Sequence, residues 1–179
     1  MKNLKNMKMM SRQKGLSAIE TLFVILIATL ALIGALALGY KMFNNQQNGA
    51  EQENIANLLV NTRSLKGAQG YGAAATNLVP QLIAIRGVPD TMTVTAGVIS
   101  NSWGGTVTIT ATTPNSFTIT AGSMPQAGCI ALATRVAKSA QFSTAINAVP
   151  AVVGEISTAA ATTGCTNTNT NIIAWTVSG

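Results

Sequence analysis

The chain has 179 residues and a formal net charge of +6, so it is long enough for one domain with a hydrophobic core. Five of its eleven basic residues precede residue 16, which leaves six basic and five acidic side chains, a net charge of +1, on the rest. No basic patch remains to neutralise phosphates, and we expect no nucleic-acid partner. The absence of histidine excludes Ser-His-Asp triads and histidine metal ligands.

The segment GLSAIE, residues 15–20, separates a basic leader from a long apolar run. Residues 21–40 carry no charge, and a helix of these 20 residues would be about 30 Å long, close to the thickness of a bilayer's hydrocarbon core. A carboxylate beside such a run is costly in lipid, so Glu20 is a candidate functional residue. We therefore expect a hydrophobic transmembrane helix over residues 16–40.

Two other interpretations of this N-terminus stay open at this point. An ordinary secretory signal has a shorter apolar core and is cleaved after that core, next to small residues. A plain signal-anchor helix is the second alternative, although it gains nothing from a carboxylate at Glu20. In either case the basic leader fits the cytoplasmic flank of a membrane segment.

The run GLSAIETLFVILIATLALIGAL, residues 15–36, resembles the signal and N-terminal helix of type IV prepilins. The resemblance implies that a prepilin peptidase removes residues 1–15 by cutting after Gly15 and methylates the new N-terminus at Leu16. It also implies that Glu20 guides assembly into a filament. In a water-free core the Leu16 amine would neutralise Glu20, either between two subunits or within one helix, where Glu20 would be merely tolerated.

A single long helix is predicted from residue 16 to about residue 66, and its two halves differ. The first half is apolar nearly all round, as in a membrane span or a filament core. The second half is amphipathic, with Ile55, Leu58 and Leu59 at helical spacing, and should pack on a globular domain of residues 41–179.

The sequence period changes after a short predicted helix at residues 77–85. Apolar residues alternate mainly with threonine over residues 92–98, 106–112 and 117–121, which predicts strands with one apolar and one threonine-lined face. The segment NSWGG, residues 101–105, predicts a turn. An antiparallel sheet with its apolar face on the long helix would accommodate these strands.

The last third of the chain is predicted to hold a helix from Pro125 to about residue 138 and a final strand near residues 173–177. Residues 139–171 between them are polar and poorly periodic, which is typical of surface loops. Cys129 and Cys165 form an even pair beyond the membrane segment and predict one disulfide, with two reduced buried thiols as the alternative.

This order of elements resembles the type IVb pilin subclass, through the NSWGG turn, the late cysteine pair and leucine at position 16. A weaker likeness is to the pilins of thin conjugative pili. The resemblance implies an α+β pilin-like fold, in which the apolar half of the long helix protrudes and the amphipathic half packs on an antiparallel sheet. The implied fold also includes a C-terminal region bounded by a disulfide.

The function implied by the resemblance is that of a major pilin, which polymerises into a helical homo-oligomer for adhesion, cell–cell contact or conjugation. The implied partners are the prepilin peptidase, the pilus assembly machinery of the bacterial inner membrane, and the membrane itself before assembly. The mature protein would lie in an extracellular pilus. A type II secretion pseudopilin or minor pilin, and a non-polymerising membrane-anchored adhesin, remain as alternatives.

Catalytic chemistry is not expected from this sequence. Only Glu51, Glu53, Asp90 and Glu155 remain as carboxylates outside the head of the helix, and we expect Glu51 and Glu53 to be solvated. The cysteines are 36 positions apart, too far for a CxxC redox motif. We therefore expect no enzyme activity, no cofactor and no metal site; a calcium site built from backbone carbonyls is the alternative, although no acidic cluster supports it.

Overall fold

The computed structural model describes residues 18–178. The predicted cleavage and methylation site at Gly15 and Leu16 lies outside these residues. The described chain divides into two compact units, one ending at Met42 and the other beginning at Phe43. Helix α1 comprises Ala18–Arg63.

The second unit combines the end of α1 with shorter helices and a sheet. In chain order these elements are α2 (Val79–Ala84), β1 (Thr93–Thr95), β2 (Val98–Ser100), β3 (Thr106–Thr113), β4 (Ser116–Met124), α3 (Gln126–Arg135), β5 (Phe142–Ile146), β6 (Val152–Val153), α4 (Thr158–Gly164) and β7 (Asn171–Ser178).

The strands form one antiparallel sheet in the order β1-β2-β3-β4-β7-β5-β6. The register places Ile109 opposite Ile119 and Ile119 opposite Trp175, so their side chains share the apolar face. On the other face the hydroxyls of Thr118 and Thr176 lie 2.7 Å apart. Strand β7 follows every other strand in the described chain, yet it pairs between β4 and β5.

The apolar face of the sheet and the second half of α1 contribute to a single hydrophobic core. Ile55 and Leu58 of α1 are fully buried, and so are Phe117 and Trp175 of the sheet. This arrangement confirms the predicted α+β pilin-like fold, because it joins a long, N-terminally apolar helix to an antiparallel sheet and a disulfide.

The single strand predicted over residues 92–98 is wrong, because the chain reverses within it. Ala96 and Gly97 adopt φ angles of +52° and +79°, and the flanking residues pair as a hairpin of β1 and β2. Two successive residues with positive φ match the twist of a tight two-residue hairpin turn. Alternation alone did not reveal the turn, because Ala96 continued the apolar pattern.

The loop predicted over residues 139–171 is also wrong in large part. This stretch contains β5, β6 and α4, and Thr144, Ile146 and Ala161 are buried. Strand β5 pairs with β7 along its whole length. Small and polar side chains hid these elements, since their burial depends on distant partners rather than on local hydrophobic period.

Candidate functional site

The N-terminal part of α1 is exposed along its whole described length. Each of residues 18–43 is exposed in this single copy, and the first buried residue of α1 is Glu51. The exposed large apolar side chains of this segment are Ile19, Leu22, Phe23, Val24, Ile25, Leu26, Ile27, Leu30, Leu32, Ile33, Leu36, Leu38, Tyr40, Met42 and Phe43. Apolar surface of this extent needs a lipid or protein environment to cover it.

By length and composition α1 could cross a membrane. Two of its threonines satisfy their hydroxyls within the helix, since Thr21 Oγ1 donates to the Ala18 carbonyl at 2.9 Å and Thr29 Oγ1 to the Leu26 carbonyl at 2.8 Å. Hydroxyls bonded in this way lower the cost of placing the helix in an apolar medium.

Glu20 lies in the first turn of α1, on an exposed face. A carboxylate at a helix N-terminus interacts favourably with the helix dipole. The expected partner of Glu20, the amine of Leu16, and the expected cleavage position at Gly15 lie outside the described residues, so the roles of all three residues stay predictions.

The prediction that Glu51 is solvated is wrong. Glu51 is fully buried, and its Oε2 accepts hydrogen bonds from Ser102 N at 3.0 Å and Ser102 Oγ at 2.7 Å. Its Oε1 has no hydrogen-bond partner among the described residues. Glu51 therefore fastens α1 to the turn at residues 101–105. Helical spacing does place Glu51 on the apolar face, four and seven residues before Ile55 and Leu58, and this was the signal that sequence reasoning missed.

The turn at residues 101–105 is fixed by its own asparagine. Asn101 Oδ1 accepts from Trp103 N at 3.0 Å and from Gly105 N at 2.7 Å, while Asn101 Nδ2 donates to the Gly122 carbonyl at 2.7 Å. A Cβ on Gly105 would lie 1.9 Å from the Gly122 carbonyl oxygen, so only glycine fits. The predicted turn is thus a rigid element held against β4.

The aromatic residue of this turn reaches α3. A Cβ built on Gly128 would lie 2.8 Å from the Trp103 ring and 3.2 Å from Asn48 Oδ1, so the indole packs against the bare backbone of α3 beside α1. Through Glu51 and Trp103 the turn joins α1 to α3. We call Glu51, the turn 101–105 and Gly128 the junction.

A disulfide joins Cys129 of α3 to Cys165, the residue after α4, with Cα atoms 5.9 Å apart and both side chains buried. Gln126 Nε2 also donates to the Cys165 carbonyl at 2.9 Å. The C-terminal end of α4 is therefore linked to α3 by a disulfide and a hydrogen bond.

Two aromatic contacts lie in the second unit, one of them at the C-terminal end of α1. The Arg63 guanidinium lies 5.3 Å from the centre of the Phe142 ring, and the Tyr71 ring packs edge-on against Phe117 at 5.1 Å. Burial raises the pKa of Tyr71, and the charge of Arg63 lowers it in part.

Comparison with known families finds a family model that matches most of the second unit. Residues 45–178 match the family model described as PilS N terminal. The chain belongs to this PilS family. PilS proteins are pilins of type IV pili, so the chain is a pilin-like protein of a structural rather than an enzymatic family. A comparison with curated proteins finds no match.

Proposed function

We propose that this PilS-family protein is the major subunit of a type IVb pilus and polymerises through the N-terminal half of α1. The observation that carries the proposal is the exposed apolar surface of residues 18–43. These residues come directly before the segment that matches the PilS family, residues 45–178. A monomer in water cannot cover this surface, whereas a bilayer before assembly and other subunits after it can.

The proposed assembly begins with cleavage after Gly15 and methylation of the Leu16 amine. The amine keeps its positive charge, and in the filament core it neutralises Glu20 of a neighbouring subunit. Attraction between these groups is strong where water is excluded, so the pair would fix the axial stagger of the subunits.

The proposed route starts in the bacterial inner membrane, where the prepilin peptidase and the assembly machinery meet the precursor. It ends in an extracellular filament that serves adhesion, cell–cell contact or conjugation. The apolar half of α1, in which residues 21–40 carry no charge, is compatible with both locations.

Electron microscopy of the cell surface and mass spectrometry of sheared filaments test the proposal together. We expect filaments whose main subunit begins at methylated Leu16. Cleavage without surface filaments would indicate a type II secretion pseudopilin or a minor pilin instead. An uncleaved, membrane-bound chain would indicate an anchored adhesin that does not polymerise.

A further inference from the structure

An acidic cleft lies between α1 and residues 89–91 in the second unit. Its volume is about 260 Å³, and Glu53 and Asp90 contribute carboxylates to its lining, next to Asn57 and Thr91. Glu53 and Asp90 are both exposed. The cleft therefore presents two negative charges to whatever approaches this side of the unit.

Two hydrogen bonds attach the segment that carries Asp90 to α1, one within the cleft and one beside it. Thr91 Oγ1 donates to Asn54 Oδ1 of α1, and Asn61 Nδ2 of α1 donates to the Gly87 carbonyl at 2.7 Å. The segment that carries Asp90 is thus attached to α1 on both sides, and the cleft is formed before any partner arrives.

A basic groove lies elsewhere on the same unit, between α1, α3 and α4. It measures about 600 Å³ and is lined by Asn45, Asn48, Ile130, Thr134, Arg135 and Thr158. The inner side of α3 is buried through Cys129 and Leu132, so Arg135 is left on its exposed side. Lys138, also exposed, follows three residues after Arg135, just beyond the end of α3, and gives this stretch of the chain a second positive charge outside the groove.

Within the described residues 18–178, no salt bridge joins Glu53, Asp90, Arg135 or Lys138 to another side chain. The two carboxylates of the acidic cleft and the two cations at the C-terminal end of α3 are equal in number and opposite in charge. A subunit that builds an open filament needs two different surfaces that fit each other, because a self-complementary surface closes into a dimer.

We infer that the acidic cleft of one subunit docks the basic end of α3 of a second copy of this chain, with Glu53 and Asp90 facing Arg135 and Lys138. This inference rests on the proposed function, since it names a contact between globular units of the filament. The contact fixes which sides of neighbouring subunits meet, as charge pairs do in protein interfaces.

Charge reversal in the full-length protein tests this contact. One variant carries Glu53→Lys with Asp90→Lys, a second carries Arg135→Glu with Lys138→Glu, and a third combines all four changes. A matched control carries Glu155→Lys with Lys66→Glu, which reverses exposed charges outside the cleft and the groove. The readouts are sheared filament yield, N-terminal processing, and thermal unfolding of detergent-released subunits.

Each two-site variant should lower the filament yield by about tenfold or more, because like charges then face each other. The combined variant should recover most of the yield, and the control should match the wild type. Processing and thermal unfolding should stay unchanged in all four.

Wild-type yield in the two-site variants would overturn the contact while leaving the proposed function intact. So would a combined variant that is folded and processed but assembles no better than its parents. Absence of filaments from the wild type would instead refute the proposed function, and the contact with it.

Discussion

Glu51 shows how one buried carboxylate can organise several elements. Its Oε2 receives two hydrogen bonds from Ser102, whose neighbour Trp103 packs on Gly128 of α3. Burying a polar side chain costs free energy, and its hydrogen bonds offset part of that cost. Glu51 therefore contributes to the orientation of the turn as well as to the stability of the unit.

Replacing Glu51 by alanine should lower the free energy of unfolding by about 1–3 kcal/mol, because the Ser102 donors lose their acceptor and a cavity forms. Urea unfolding of detergent-solubilised protein, followed by tryptophan fluorescence, measures this change. Glu53→Ala is the matched control, because Glu53 is exposed two residues away, and it should change stability by less than about 0.5 kcal/mol. Equal effects of both variants would contradict the assigned role of Glu51.

At the scale of elements, the helices and the central strands follow from local pattern. Period-two alternation identified β3, β4 and β7, and helical spacing identified the second half of α1. The β1–β2 hairpin was missed because an alanine occupies a positive-φ position that local sequence does not mark. Strand β5 was missed because its order comes from pairing with β7, about 30 residues further along the chain.

The candidate site also has one part that local sequence predicts and one part that it does not. The apolar segment was visible because hydrophobicity is a local property of the sequence. The junction was not, because it depends on the approach of a glycine of α3 to the indole of a distant turn. Contacts of this kind are decided by tertiary packing, which a single sequence does not display.

The packing of α3 on the turn can be tested with glycine substitutions. Gly128→Ala should destabilise the unit by about 1–3 kcal/mol, because the new Cβ would lie 2.8 Å from the Trp103 ring. Gly49→Ala is the control, since nothing lies within 4 Å of its Cβ, and it should stabilise α1 by up to about 1 kcal/mol. Thermal unfolding by circular dichroism measures both, and a neutral Gly128→Ala would mean that α3 or the indole shifts freely.

The link between α3 and α4 carries a further prediction. Replacing Cys129 and Cys165 by serine should lower the free energy of unfolding by about 4 kcal/mol, because the open loop regains entropy in the unfolded chain. A loss of this size is a large fraction of the ~5–15 kcal/mol stability of a domain, so pilin abundance should fall. Alkylation of wild-type filaments under denaturing conditions should find no free thiol, and two labelled cysteines would refute the disulfide.

At the scale of the whole molecule, the folded unit and the apolar segment have different requirements. The second unit has its own core, whereas the apolar side chains of residues 18–43 gain burial only from an environment outside the copy. Stability of the unit and competence for assembly should therefore respond to different substitutions.

Glu20→Ala separates these two properties. We expect normal cleavage, membrane insertion and unfolding of the second unit, but few or no filaments, because the proposed partner of the Leu16 amine is lost. Thr29→Ala is the control, since the Thr29 hydroxyl bonds within its own helix, and it should assemble normally. Processing is read by N-terminal mass and assembly by electron microscopy, and normal piliation of Glu20→Ala would favour a merely tolerated carboxylate.

The central position of β7 has a consequence for biosynthesis. The sheet lacks its middle until β7 arrives between β4 and β5, after every other described strand has been translated. Under the proposed function residues 18–43 would by then already be inserted in the membrane, and the second unit would complete its folding only afterwards. A chain interrupted before β7 would leave the backbone N–H and C=O groups along the facing edges of β4 and β5 unpaired, and we expect proteases to remove such a chain before it could enter a fibre.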